Sequence, residues 1–181
     1  MTRPGNQCLT ERHLALFGAI IQWFASYEAL IQEIMASATG ADTACIRLLT
    51  SGLNFAAKRA ALLNLLRHRA IPLHQCERIQ NHLRVPDTHT SLLHDILHSA
   101  WIPGKQSESI QPDWILGLLP TVRPMHAEPD TLPGNFIERY EDRVSYTLED
   151  LAEIVEILTE NHKRFSDYLA ETRLTHGSSK A

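Results

Sequence analysis

The chain has 181 residues, 44% hydrophobic and 21% charged, a globular balance with enough apolar material for a substantial core. A net charge of −4 argues against a broadly basic surface that tracks phosphates, and three widely spaced cysteines, Cys8, Cys45 and Cys76, form neither a disulfide framework nor a zinc motif. No apolar run approaches the length of a membrane span and the N-terminus lacks a signal-type segment, so the expectation is a cytoplasmic protein without membrane contact.

After an irregular lead, Leu14, Phe17, Ile21, Phe24, Glu28, Ile31 and Met35 advance in steps of three and four, which predicts a helix with Thr10 as N-cap and Gly40 as its stop. Glu28 falls on the apolar seam, where a carboxylate needs a partner. A second helix is expected from Asp42 to about Arg69, irregular near Gly52 and Asn54. Lys58 lies on its apolar side and is the candidate partner of Glu28, although its stem could equally carry the ammonium to water.

Pro72 suits the first turn of a third helix with Leu73, Cys76, Ile79 and Leu83 inward. Pro86 predicts a kink or break over 84–88, with Asp87 or Thr88 capping the restart. The restarted helix carries His94 and His98 one turn apart, with Leu93, Ile96, Leu97 and Ala100 as a burial stripe. Trp101 is expected to continue the histidine face before Pro103 and Gly104 close the helix.

Six of the nine prolines lie between Ile102 and Ser145, which reads as a long irregular insertion. Short apolar pieces at Trp114–Leu119 and Phe136–Tyr140 could dock on the helices or pair as small strands. Thr147 and Asp150 approximate a capping box, Tyr146 and Leu151 a hydrophobic staple, and Leu148, Leu151, Val155, Leu158, His162, Phe165 and Leu169 mark the last helix. The tail, 172–181, has too little apolar content to pack and is expected to be flexible.

Two imidazoles at i and i+4 can share one metal ion, but a catalytic zinc site takes a third protein ligand and the sequence fixes none. The helix end itself resembles the HEPN superfamily, whose signature is an Arg, a polar residue, three more positions and a His, often continued by a small residue and an aromatic. His98, Ser99 and Trp101 match its second half, whereas Leu93 stands at the Arg position and His94 at the polar one.

The resemblance implies an all-α bundle of four or five helices over 1–171, with 102–145 inserted before the last helix, and a homodimer in which two motif helices meet. It implies a metal-independent endoribonuclease of prokaryotic defence or toxin–antitoxin type, with no cofactor. RNA and an antitoxin or defence-system protein are the expected partners. His98 takes the acid/base role and His94 the polar position, supported by Asp95, Trp101, Glu28 and Lys58. Because Leu93 replaces the phosphate-binding Arg, activity is expected to be weak or absent unless protonated His94, Arg67, Arg69 or Arg84 supplies the cation. The alternative is a non-catalytic helical module for protein interaction or dimerisation.

Overall fold

The computed structural model describes residues 9–106, 108–113 and 145–172. Of these, 76% are helical. The helices are α1 (Glu11–Thr39), α2 (Thr43–Thr50), α3 (Phe55–His68), α4 (Leu73–Asp87), α5 (Thr90–His98) and α6 (Leu148–Thr172), with a two-stranded antiparallel sheet, β1 (Ala100–Pro103) and β2 (Ile110–Asp113), after α5. Trp114–Leu119, Phe136–Tyr140 and the tail beyond Thr172 lie outside the described residues.

The described residues fall into two compact units. One takes those up to Gly18 and from Ser91 to Glu153; the other takes Ala19–Thr90 and those from Ile154 onward.

In the second unit, helix boundaries follow local chemistry. Gly40 ends α1 with a φ of 71°, a conformation that is free of strain only for glycine. Asp42 caps α2 through the Ala44 N–H, and Asn54 caps α3 through the Ala57 N–H. The single helix expected from Asp42 to Arg69 is therefore two helices, each with its own cap, because Asn54 offers a side-chain acceptor just after the Gly52 turn.

The buried seam of α1 differs from the expected one. His13, Phe17, Ile20, Phe24, Tyr27, Ile31 and Ile34 face inward, while Leu14 is 55% and Ile21 38% exposed. Tyr27, rather than Glu28, occupies the inner position, because its ring fills apolar space and its hydroxyl donates to the Leu158 carbonyl at 3.0 Å. By length and composition α1 could cross a membrane, with a window of mean hydropathy 1.5. Its Tyr27, Glu28 and Gln32 are nonetheless bonded to Leu158, Lys58 and Thr50.

Pro86 itself lies within α4, which continues to Asp87; the break expected over 84–88 falls at Thr88 and His89, before α5 restarts at Thr90. A proline at 86 removes the N–H that would bond to the carbonyl four residues earlier, at His82. That carbonyl is bonded instead to Asn161 Nδ2 of α6 at 2.9 Å. The same Nδ2 donates to the Tyr27 hydroxyl at 2.6 Å, and Asn161 Oδ1 lies 3.2 Å from His82 Nδ1. An amide oxygen only accepts, so this contact assigns the proton to Nδ1 of His82. The His82 ring stacks on Phe165 and Tyr168, with Arg78 over the Tyr168 ring at 4.5 Å.

In the first unit, α1 opens with a reciprocal cap in which histidine takes the place usual for glutamate. The Thr10 hydroxyl accepts from the His13 N–H, and His13 Nδ1 accepts from the Thr10 N–H at 3.2 Å. Thr147 and Asp150 form the expected capping box of α6, at 2.8 and 3.1 Å.

β1 and β2 pair in the register Ala100 to Asp113 and Pro103 to Ile110, and Ile110 also bridges Tyr146. Gly104 closes the hairpin: its N–H donates to the Ser109 carbonyl at 2.7 Å, and a side chain there would collide with the Ser109 hydroxyl. Trp101 lies in β1 and so does not extend the α5 face. It is 4% exposed, with its ring 4.7 Å from that of Phe17. The pairing with β2 and the burial of this indole against Phe17 favour an extended backbone where the sequence pattern continued the helix.

Replacing Asn161 by Ala leaves the His82 carbonyl without its donor and removes one bond to the Tyr27 hydroxyl, which keeps its own bond to Leu158, so urea unfolding should show a loss of about 1–3 kcal/mol. Pro86→Ala restores an N–H for that carbonyl, so the double variant should be at least about 0.5 kcal/mol more stable than the sum of the two single effects predicts. Strict additivity would refute the compensation.

Candidate functional site

Helix α5 presents His94 and His98 to solvent and turns Leu92 and Asp95 inward, at 2% and 7% exposure. The expected burial stripe is therefore shifted by one position: Leu93 and Ile96 are half-buried and Leu97 is 54% exposed. The two imidazole centroids lie 4.7 Å apart with 51° between the ring planes. His98 is the last helical residue, at the end where unpaired carbonyls favour a cation or a donor.

Behind this face, Tyr146 is half-buried and its ring lies 6.3 Å from that of Trp101. Burial, then the Asp95 and Asp150 carboxylates, hold the Tyr146 hydroxyl above its usual range. It therefore stays protonated at neutral pH.

Glu28 and Lys58 meet, with Nζ 2.7 Å from Oε2. The ammonium side chain is 7% exposed and the carboxylate 33%. This ion pair belongs to the second unit, whereas His94, Asp95, His98 and Trp101 belong to the first. Of the expected site residues, His94, Asp95 and His98 share α5, Trp101 follows on β1, and Glu28 and Lys58 form a separate pair. Within the second unit, Lys58 is a buried charge satisfied by one carboxylate, a structural role in its own right.

A cleft of 590 Å³ in the first unit is lined by the first turn of α1, Thr10 to His13, with Pro103, Gln106, Glu108 and Ser109 of the hairpin and Leu148 of α6. His13 is 1% exposed, and its Nε2 closes no hydrogen bond of normal geometry. Burial holds this imidazole below its usual pKa, the Glu108 backbone and carboxylate acting in the opposite sense and Arg12 adding to burial. Thr10-x-x-His13 is the sequence signal for this residue, which the apolar pattern passes over because histidine ranks low in hydrophobicity.

The second unit holds further titratable residues, of which the sequence pattern marks only His162, as a seam position of the last helix. Tyr27 is pushed up to about 12 by burial, opposed by Asn161. His162 lies between the Trp23 and Tyr27 rings at 5.0 and 5.1 Å, and burial lowers its pKa. Burial likewise lowers that of His89. Among the described residues no group of three or more His, Cys, Asp or Glu side chains is placed to hold a metal ion.

Comparison with protein-family models, with curated proteins and with solved structures finds no match to the chain.

Lys58→Met removes both the buried charge and its need for a partner, so it should change stability by less than about 1 kcal/mol. Glu28→Gln leaves the ammonium without its carboxylate and should cost about 1–3 kcal/mol by urea denaturation. The reverse ranking would show that the pair is not held by the demand of the buried lysine.

His13, His89 and His162 each have a folded pKa below the ordinary value of 6.5. The unfolded chain thus binds more protons than the folded one once pH drops below that value. Their contribution is fully present above pH 6.5 and is lost as pH falls towards the lowered folded values. Urea midpoints should drop between pH 7.5 and 5.5, and His162→Gln should shallow the slope. A flat or rising profile on acidification would contradict this origin.

Proposed function

We propose that the chain is an HEPN-like, RNA-directed protein of the prokaryotic defence or toxin–antitoxin type, working in the cytoplasm as a homodimer. It cleaves RNA weakly and without a metal. The observation that supports this reading is the pair of exposed imidazoles, 4.7 Å between centroids, at the end of α5. Imidazole both accepts and releases a proton near neutral pH, which is what transesterification of RNA requires.

In that reaction one histidine takes the proton of the ribose 2′-hydroxyl as its oxygen attacks the adjacent phosphorus. The other gives a proton to the departing 5′-oxygen, leaving a 2′,3′-cyclic phosphate and a 5′-hydroxyl. His98, at the helix end, is assigned the principal role and His94 the complementary one. Leu93, half-buried on the same helix, offers nothing to the charge that builds on the phosphate, and this sets the rate low.

A second reading is favoured by α2, where Leu48 is 77% and Leu49 73% exposed. Neighbouring leucines held in water are a feature of interaction surfaces, and under this reading the chain binds a protein partner, such as an antitoxin, and does no chemistry.

Incubation of the purified protein with total RNA and tRNA, in the presence of a chelator, separates the two. Cleavage that leaves cyclic phosphate ends, falls about 100-fold or more in His98→Ala and rises in Leu93→Arg supports the ribonuclease. Absence of cleavage in both wild type and Leu93→Arg, or equal cleavage by wild type and His98→Ala, favours the binding module.

A further inference from the structure

We propose that His94 and His98 form a bidentate site for a late first-row divalent cation such as zinc, with water completing its coordination. Two imidazoles one helical turn apart can take rotamers that splay the rings or bring them together. Here they are together, 4.7 Å between centroids and tilted by 51°.

That separation lies within the range that chelation allows. With a metal–nitrogen distance of about 2.0–2.1 Å and about 1.15 Å from nitrogen to ring centre, rings subtending about 90–110° at one ion have centroids about 4.5–5.3 Å apart. The ring centres thus already lie at a separation that fits a shared ion, and rotation about χ1 and χ2 of these exposed side chains can turn a nitrogen of each towards it.

The surroundings favour a cation. His98 ends α5, so the negative end of the helix dipole lies beside the site. Both rings reach solvent, which leaves room for water on the open side of the ion. Imidazole nitrogen selects zinc, nickel and copper over magnesium and calcium, which prefer oxygen. Among the described residues the site has two protein ligands, which make it exchangeable and of moderate affinity, a sensor of free metal rather than a structural centre.

A metal held on both imidazoles uses the lone pairs that proton transfer needs. Where the ribonuclease reading holds, zinc is therefore an inhibitor; that consequence rests on that reading, whereas the binding does not.

The test is calorimetric titration of the untagged full chain with zinc chloride in a non-chelating buffer with a phosphine reductant, on wild type, His94→Ala, His98→Ala, the double variant and the conservative pair His94→Gln and His98→Gln. His74→Ala and Cys45→Ser control for other surface ligands, and circular dichroism melts check folding. One saturable site, weakened tenfold or more by each single substitution at 94 or 98 and unchanged in both controls, is the expected result. No saturable binding up to 1 mM zinc overturns the proposal, as does binding that survives the double variant or single variants that bind like wild type. RNA cleavage measured with chelator and then with zinc reads the consequence separately: zinc binding without any cleavage leaves the site standing and removes only the ribonuclease.

Discussion

Pro86 has no N–H to give the His82 carbonyl, and the way that deficit is met organises the second unit. A buried carbonyl without a donor costs free energy comparable to a lost hydrogen bond. Asn161 supplies the donor from α6, and its one amide also engages His82 Nδ1 and the Tyr27 hydroxyl. Tyr27 then donates to the Leu158 carbonyl. Helices α1, α4 and α6 are thereby tied together through one amide. Fixing Tyr27 inward moves Glu28, one residue on, to the edge of the seam, where a partly exposed carboxylate meets the buried Lys58 ammonium. The His82 ring, held by the same amide, stacks on Phe165 and Tyr168.

In the first unit the corresponding constraint is the burial of Trp101. An indole 4% exposed against Phe17 requires an extended chain from Ala100, so α5 stops at His98. The helix then keeps Leu92 and Asp95 inside and both histidines outside. The side chains best suited to chemistry remain in water, while Tyr146 and Asp95 provide a polar layer beneath the surface. Gly104 permits the tight closure of the hairpin that holds the indole in place.

The two uses proposed for the imidazole pair exclude each other at any instant. A free lone pair can take a proton, and the same lone pair can bind a metal. The resemblance of His98, Ser99 and Trp101 to the HEPN signature speaks for the first use, and the ring separation suits the second. Under the proposed ribonuclease reading, Leu93 stands where a guanidinium would steady the phosphate charge, so that reading leaves the two histidines to act without a fixed cation from this position.

Much was legible in the sequence where the determinant was local. Thr10, Gly40, Asp42 and the Thr147–Asp150 box mark helix ends because a cap bonds within a few residues of itself, whereas Asn54, read as an irregularity within one helix, caps a separate one. His94 and His98 are adjacent by helical geometry alone. The rotation of α1, the survival of α4 through Pro86, the β1–β2 hairpin and the position of Trp101 were not legible. Most depend on a partner far along the chain: Leu158 for Tyr27, Asn161 for His82, Tyr146 for Ile110 of the hairpin and Phe17 for Trp101. The sequence by itself determined the caps at Thr10, Gly40, Asp42 and Thr147 and which histidines share a turn. Only the tertiary structure decided which face of α1 is buried, where α5 stops and how close the two imidazoles lie, because burial and long-range hydrogen bonds outweigh the small local preferences that periodicity records.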